Sequence, residues 1–225
     1  MVDLTQPISH GDLVWPGDPP TVVEAASGEP MGSASFALNR MGFGEHSGTH
    51  IGAPSHYGFA ATMDAFDPGL MSGQALFIHC EDCADAEIGA AQIDARLAAS
   101  GSFSLVVIVT GWARFWGSEA YYFGDKAGGV GTPDTLPAGL DLSAVDYLFD
   151  RFSSSIIGID SPNIDYGGAA LSRLDCGFEI ARRGAFHLEN VALTPSDMPA
   201  IANYMLMPLR IGQANGSPAR FLVTL

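Results

Sequence analysis

Glycine and proline punctuate this 225-residue chain from end to end, 27 of the first and 14 of the second, with no tract in which they collect. A chain interrupted this often builds many short elements joined by turns. The longest apolar run, Ser104-Leu105-Val106-Val107-Ile108-Val109, has the length of one buried strand and falls far short of the roughly 20 residues that cross a bilayer. Apolar residues make up 47% and charged ones 16%, which excludes a disordered chain. The length suits one domain with a core that needs neither disulfides nor a structural metal. A single domain over residues 1–225 is the expectation.

Short strands are expected over 21–24 and 35–39, where apolar and polar residues alternate, and over the apolar runs 105–110 and 155–159. Helical spacing covers 91–99 (AQIDARLAA), stopped by Gly101, and 143–151 (SAVDYLFDR), with Ser143 as its N-cap. A third helix is expected over 174–183, ended by Gly184, and a short one within 192–201 beginning at Thr194-Pro195. The tail, 206–212 and 219–225, pairs as two strands around Ala214-Asn215-Gly216. Strands alternating with helices mark an α/β domain.

Ten basic residues against 25 acidic ones leave a net charge of −15. That balance argues against a nucleic-acid backbone or an anionic membrane surface as partner. The start, Met1-Val2-Asp3-Leu4, has neither a basic nor an apolar leader segment, so a cytoplasmic location is expected. Three cysteines make a poor disulfide framework, and the Cys80-x-x-Cys83 pair has no second ligand pair at zinc-finger spacing. Two reduced thiols at a strand end is the simpler reading.

Half of the six histidines fall within 11 residues, in Glu45-His46-Ser47-Gly48-Thr49-His50-Ile51-Gly52-Ala53-Pro54-Ser55-His56. Imidazole is a common transition-metal ligand and the usual general base near neutral pH. The interleaved glycines let a loop bring several side chains to one point. Asp160 and Asp165 follow a strand and either line a site at its carboxyl end or cap a turn. Trp15, Trp112, Phe115 and Trp116 either stack on a substrate ring or belong to the core. His10 and His187 read as structural or surface groups. His187 also stands two residues before Glu189, on the same face if that segment is a strand, where it could act as a substitute ligand.

HSGTHIGAPSH over 46–56 resembles the signature HxGTHxDxPxH of the cyclase family, which includes bacterial kynurenine formamidase and isatin hydrolase. Further blocks resemble that family in order: DLTQPISHGDLVWPGD over 3–18, Thr110-Gly111-Trp112, Gly158-Ile159-Asp160-Ser161, Glu189-Asn190-Val191 and Gly216-Ser217-Pro218-Ala219-Arg220. The resemblance implies an α/β fold of the swivelling β/β/α type, a mixed sheet partly closed as a barrel with flanking helices, and a homodimer or larger homo-oligomer. It implies hydrolysis of a small cyclic amide, formamide or lactone by water activated on zinc or manganese. Carried over by position, His46 and His50 are metal ligands, His56 is the catalytic acid or base, and Glu189 is the late carboxylate, both ligand and catalytic. Trp15, Asp160 and Trp112 are expected at the substrate.

The chain departs from that pattern twice. The expected Asp ligand falls on Gly52 and the late His ligand on Gly177, with Asp175 and Cys176 just before it. The metal site is therefore altered, with Asp175, Cys176 or His187 as candidate replacements. The alternative is a family member without metal, either a small-ligand binder or a lyase or cyclase working through His56, Glu189 and His46.

Overall fold

The computed structural model describes residues 1–26, 37–83, 87–124, 135–168, 173–193 and 198–225. Position 194, where the short helix was expected to begin, and positions 35–36 lie outside these residues. The strands are β1 (Val2–Asp3), β2 (Val22–Ala26), β3 (Leu38–Gly42), β4 (His50–Gly52), β5 (Ser72–His79), β6 (Glu87–Ile88), β7 (Leu105–Val109), β8 (Gly139–Leu140), β9 (Ile156–Ile159), β10 (Phe186–Glu189), β11 (Ile201–Pro208) and β12 (Gly216–Thr224). The helices are α1 (Ala90–Asp94), α2 (Glu119–Phe123), α3 (Leu142–Phe152) and α4 (Asp175–Arg182).

Eight strands form one mixed sheet in the order β1-β12-β11-β5-β7-β9-β10-β4, and β4 also pairs with β12. That last pairing closes the sheet into a barrel, with β1 added alongside β12. Neighbours β5, β7, β9 and β10 run parallel, whereas β4, β11 and β12 enter antiparallel. The expected partly closed mixed barrel is present. β2 and β3 form a separate hairpin.

Every residue of β7 is buried, because both faces of its sheet are covered. Leu105, Val107 and Val109 point into the barrel with Ile51, Leu188 and Phe221. Val106 and Ile108 point outward, beneath Val145, Leu148 and Phe152 of α3. The three cysteines are free and buried.

Two helical boundaries differ from expectation. The α3 N-cap is Asp141, whose carboxylate accepts the Ala144 N–H at 2.9 Å, while the Ser143 hydroxyl donates to that carboxylate. The helix starts at Leu142, so Ser143 already lies in its first turn and Asp141 is the residue placed to cap it. α1 stops at Asp94 rather than 99, where Arg96 folds back to donate to the Gln92 carbonyl and pairs with Asp82. α4 ends next to Gly184 as expected, at a φ of +75° that suits glycine.

Candidate active site

The strand that closes the barrel carries the chemistry. In the antiparallel β4–β10 pair, His50 stands opposite Glu189 and Gly52 opposite His187. Directly opposed residues share a face, so His50, Glu189 and His187 project together, while Ile51 and Leu188 point into the barrel. On its other edge Gly52 faces Gly216 of β12. A side chain at Gly216 would meet the His46 ring at 2.7 Å, so this glycine makes room for the third imidazole. The 54–57 turn that follows β4 brings His56 to 4.2 Å, ring centre to ring centre, from His46.

Hydrogen bonds orient His50. Its Nδ1 lies 3.0 Å from the Gly48 carbonyl, which can only accept, so Nδ1 carries the proton in the neutral ring and Nε2 keeps its lone pair. That carbonyl also accepts from the Asn190 amide at 2.8 Å, and the Tyr121 hydroxyl donates to the other end of the same amide. Nε2 of His50 lies 3.1 Å from Glu189 Oε2, but neither it nor Nε2 of His46 has a hydrogen-bond partner, although both atoms are buried. Glu189 Oε1 accepts the Ile164 N–H at 2.8 Å.

Burial, aided by the neighbouring imidazoles, holds His46 far below the ordinary imidazole value. Burial brings His187 down to about 4 despite the pull of Glu189. His56 is lowered for the same reason, against the same opposing carboxylate. For Glu189, burial raises the carboxyl, but the neighbouring His187 and His50 rings and the Ile164 N–H outweigh it and leave the value lowered. Neutral imidazoles beside an ionised carboxylate are the protonation states that a metal ion requires of its ligands.

These side chains face a cavity of about 280 Å³ that also exposes Trp15, Asp18, Tyr57, Asn163, Leu174 and Asn190. It lies near the small end of the range for small-molecule sites. A wider cleft of about 500 Å³ collects Glu87, Asp141, Asp165 and Asp175 around Arg173, but no histidine. The acid–base groups gather in the smaller space.

Of the residues singled out in the sequence, the fold brings together His46, His50, His56, His187, Glu189 and Trp15. Asp160 and Trp112 are corrections to that set, because neither lines the cavity. Asp160 is fully buried, and its carboxylate accepts from the Thr110 N–H and hydroxyl and from the Gly111 N–H. It caps the turn after β7. Trp112 is also fully buried, with its indole N–H donating to the Tyr121 carbonyl. Asp175 lines the wider cleft, and Cys176 faces the Leu140 carbonyl. Asp165 accepts the Cys176 and Gly177 N–H groups at the start of α4.

Of the three candidate replacement ligands, His187 is the one that reaches the cavity, and Tyr57 is the lining residue that sequence reasoning missed. His46, His50 and His187 each offer a ligand atom, and all three atoms lie within 4.8 Å of one another. This convergence, with two buried and unpartnered Nε2 atoms, is a donor set that a divalent cation satisfies. The residues present fit a metal.

The Cyclase family model ("Putative cyclase") matches residues 2–166, and the chain belongs to that family. A relative, the kynurenine formamidase of Geobacillus thermodenitrificans (strain NG80-2), is 26% identical over 223 residues, covering 97% of this chain and 94% of the relative. An isatin hydrolase solved with the product analogue thioisatinate superposes with a TM-score of 0.81 at 25% identity, covering 100% of this chain and 91% of that one. Isatin hydrolase A from Ralstonia solanacearum has the same fold, with a TM-score of 0.81 at 23% identity over 99% of this chain and 90% of that one.

Proposed function

We propose that the protein is a hydrolase of small cyclic amides, formamides or lactones, working through a metal-activated water and a histidine base. Relatives named for formamide and isatin hydrolysis support the reaction class. The observation that carries the metal is the pair of buried, unpartnered Nε2 atoms on His46 and His50 beside the Glu189 carboxylate.

His46 and His50 would hold the ion, zinc or manganese. When bound, it supplies a Lewis acid for the substrate carbonyl and brings the pKa of water toward about 7. The chain's own residues do the rest. His56 stands exposed at the cavity mouth beside His46, where it takes the proton of the attacking water and returns it to the leaving nitrogen or oxygen. The Glu189 carboxylate would offset the charge of a cation held by the neutral imidazoles, and its Oε1 is fixed by the Ile164 N–H. Trp15 offers an aromatic wall to a planar substrate, held edge-on against Tyr122 at 6.2 Å. A cytoplasmic location belongs to the same proposal, supported by three free buried thiols. So does assembly into a homodimer or larger oligomer, which sedimentation at micromolar concentration checks.

Elemental analysis of untagged protein, followed by hydrolysis assays on a formanilide, isatin and a small lactone, tests the reading. About one zinc or manganese per chain is expected, lost in His46→Ala and His50→Ala, with turnover lost but the metal kept in His56→Ala. Unchanged turnover in folded His56→Ala would remove its role, and no metal even after incubation with both ions would end the reading.

A further inference from the structure

A Cβ added at Gly52 would lie 1.9 Å from His187 Nε2 and 2.0 Å from its Cε1. The buried His187 ring therefore occupies the volume that any side chain at position 52 would need. Position 177 repeats the pattern. A Cβ there would lie 2.0 Å from the Tyr57 hydroxyl oxygen, so the phenol fills the space beside α4 that a side chain at 177 would take. These are the two positions at which the sequence lacks an expected ligand, and in each a ring from another segment fills the space.

The two replacements differ in chemistry. His187 brings an imidazole nitrogen to the donor atoms of His46 and His50. Tyr57 brings a phenol, which with its ordinary pKa of about 10 carries its proton near neutral pH and is a poor cation ligand. Among the described residues, one group of three ligand atoms comes within metal-sharing distance, and it is the three histidines. Two nitrogens on a tetrahedral zinc stand about 3.4 Å apart, so ligand atoms at the 4.8 Å limit close by about 1.4 Å when the ion binds.

We propose that the chain binds a single divalent ion on three imidazoles, with His187 on β10 supplying the ligand that Gly52 on β4 cannot, and with Tyr57 closing the space a second ion would need. This rests on the metal-dependent reading above. An all-imidazole set favours zinc over manganese, which prefers carboxylate oxygen. The glycine at 52 is then required by the ligand opposite it, and the pair can be exchanged only together.

The test is to strip the protein with a chelator, titrate it with zinc and with manganese, and record X-ray absorption fine structure on the zinc-loaded wild type. Expected are one zinc per chain, three imidazoles in its shell, and zinc binding at least about tenfold tighter than manganese. His187→Ala should weaken zinc by at least about tenfold, and the joint exchange Gly52→Asp with His187→Gly should shift preference toward manganese. Two ions per chain, a shell with only two imidazoles, or unchanged affinity in folded His187→Ala overturns the inference while leaving a metal-dependent hydrolase. No ion bound by the wild type overturns both. The absorption measurement on wild type needs no variant, so it decides even if the substitutions unfold the chain.

Discussion

An alanine at position 177 would ordinarily strengthen the helix it sits in, by about 1 kcal/mol over glycine. Here its Cβ would fall 2.0 Å from the Tyr57 hydroxyl and 2.4 Å from Cζ. Overpacking of this kind costs about 1–3 kcal/mol, so Gly177→Ala should destabilise the protein by roughly that amount. In the Tyr57→Ala background the same change should be neutral or stabilising by up to about 1 kcal/mol. Urea denaturation of the four proteins in this cycle measures the coupling, and additive effects would show that the phenol does not fill the site. Asp160 makes a second prediction. Asp160→Ala leaves the Thr110 and Gly111 N–H groups buried without an acceptor, at about 1–3 kcal/mol each. A stability loss of roughly 3–5 kcal/mol is expected, with zinc binding retained by the folded fraction. If zinc binding disappears while the stability holds, Asp160 belongs to the site after all. Both residues show the limits of sequence reading. A GIDS segment after a strand looks the same whether its carboxylate faces a substrate or caps a turn. Tyr57 was hidden because its partner lies 120 positions away, whereas the clustered His46, His50 and His56 announce themselves within one loop.

Strand β4 is only three residues long, yet it pairs on both edges and closes the barrel. Sequence periodicity could not reveal it, since three residues carry no pattern, and without its register the meeting of Gly52 with His187 is invisible. The elements β7, β9, α3, α4 and β12 were legible because their apolar spacing reflects burial directly, whereas only 206–208 of β11 fell within its expected strand. Helix α4, which presents Gly177 to Tyr57, is held by charge as well as packing. Glu179 accepts from Arg182 at 2.6 Å and from Arg183 at 2.7 Å, and Arg183 also pairs with Asp146 of α3. The hydrogen bond from Arg182, more than the burial that opposes it, brings the Glu179 carboxyl down to about 2. A depressed carboxyl contributes stability above its unfolded value of about 4.3 and loses it as pH falls through the folded value. Glu179→Gln should therefore cost about 0.5–1 kcal/mol at neutral pH, with the gap to wild type closing between about pH 4 and 2. Parallel urea melts at neutral and acidic pH check this, and a gap that persists at low pH would assign the loss to packing.

At the scale of the whole molecule, the histidine cluster lies on the closure of the barrel, so an ion bound there would be linked to the fold. β4 contributes His50, β10 contributes His187 and Glu189, and the ring of His46 rests against Gly216 at the start of β12. An ion held by these groups would tie β4 and the loop before it to β10, beside the pairing with β12 that completes the sheet, and the unfolded chain has no such arrangement to offer it. Binding to the native state alone stabilises by about 2.7 kcal/mol when free ion stands at 100 times its Kd. For a chain of this size, each kcal/mol moves the melting temperature by roughly 2–4 °C, so zinc should raise Tm by about 5–10 °C and a chelator should reverse it. His46→Ala and His50→Ala should melt at the same temperature with and without zinc. His56→Ala should keep the full shift, because His56 stands exposed beside the cluster and the proposed mechanism gives it the proton rather than the ion. Scanning calorimetry on these four proteins separates the roles of the clustered histidines without any substrate. A wild type whose Tm does not respond to zinc or manganese would show that the barrel closes without an ion.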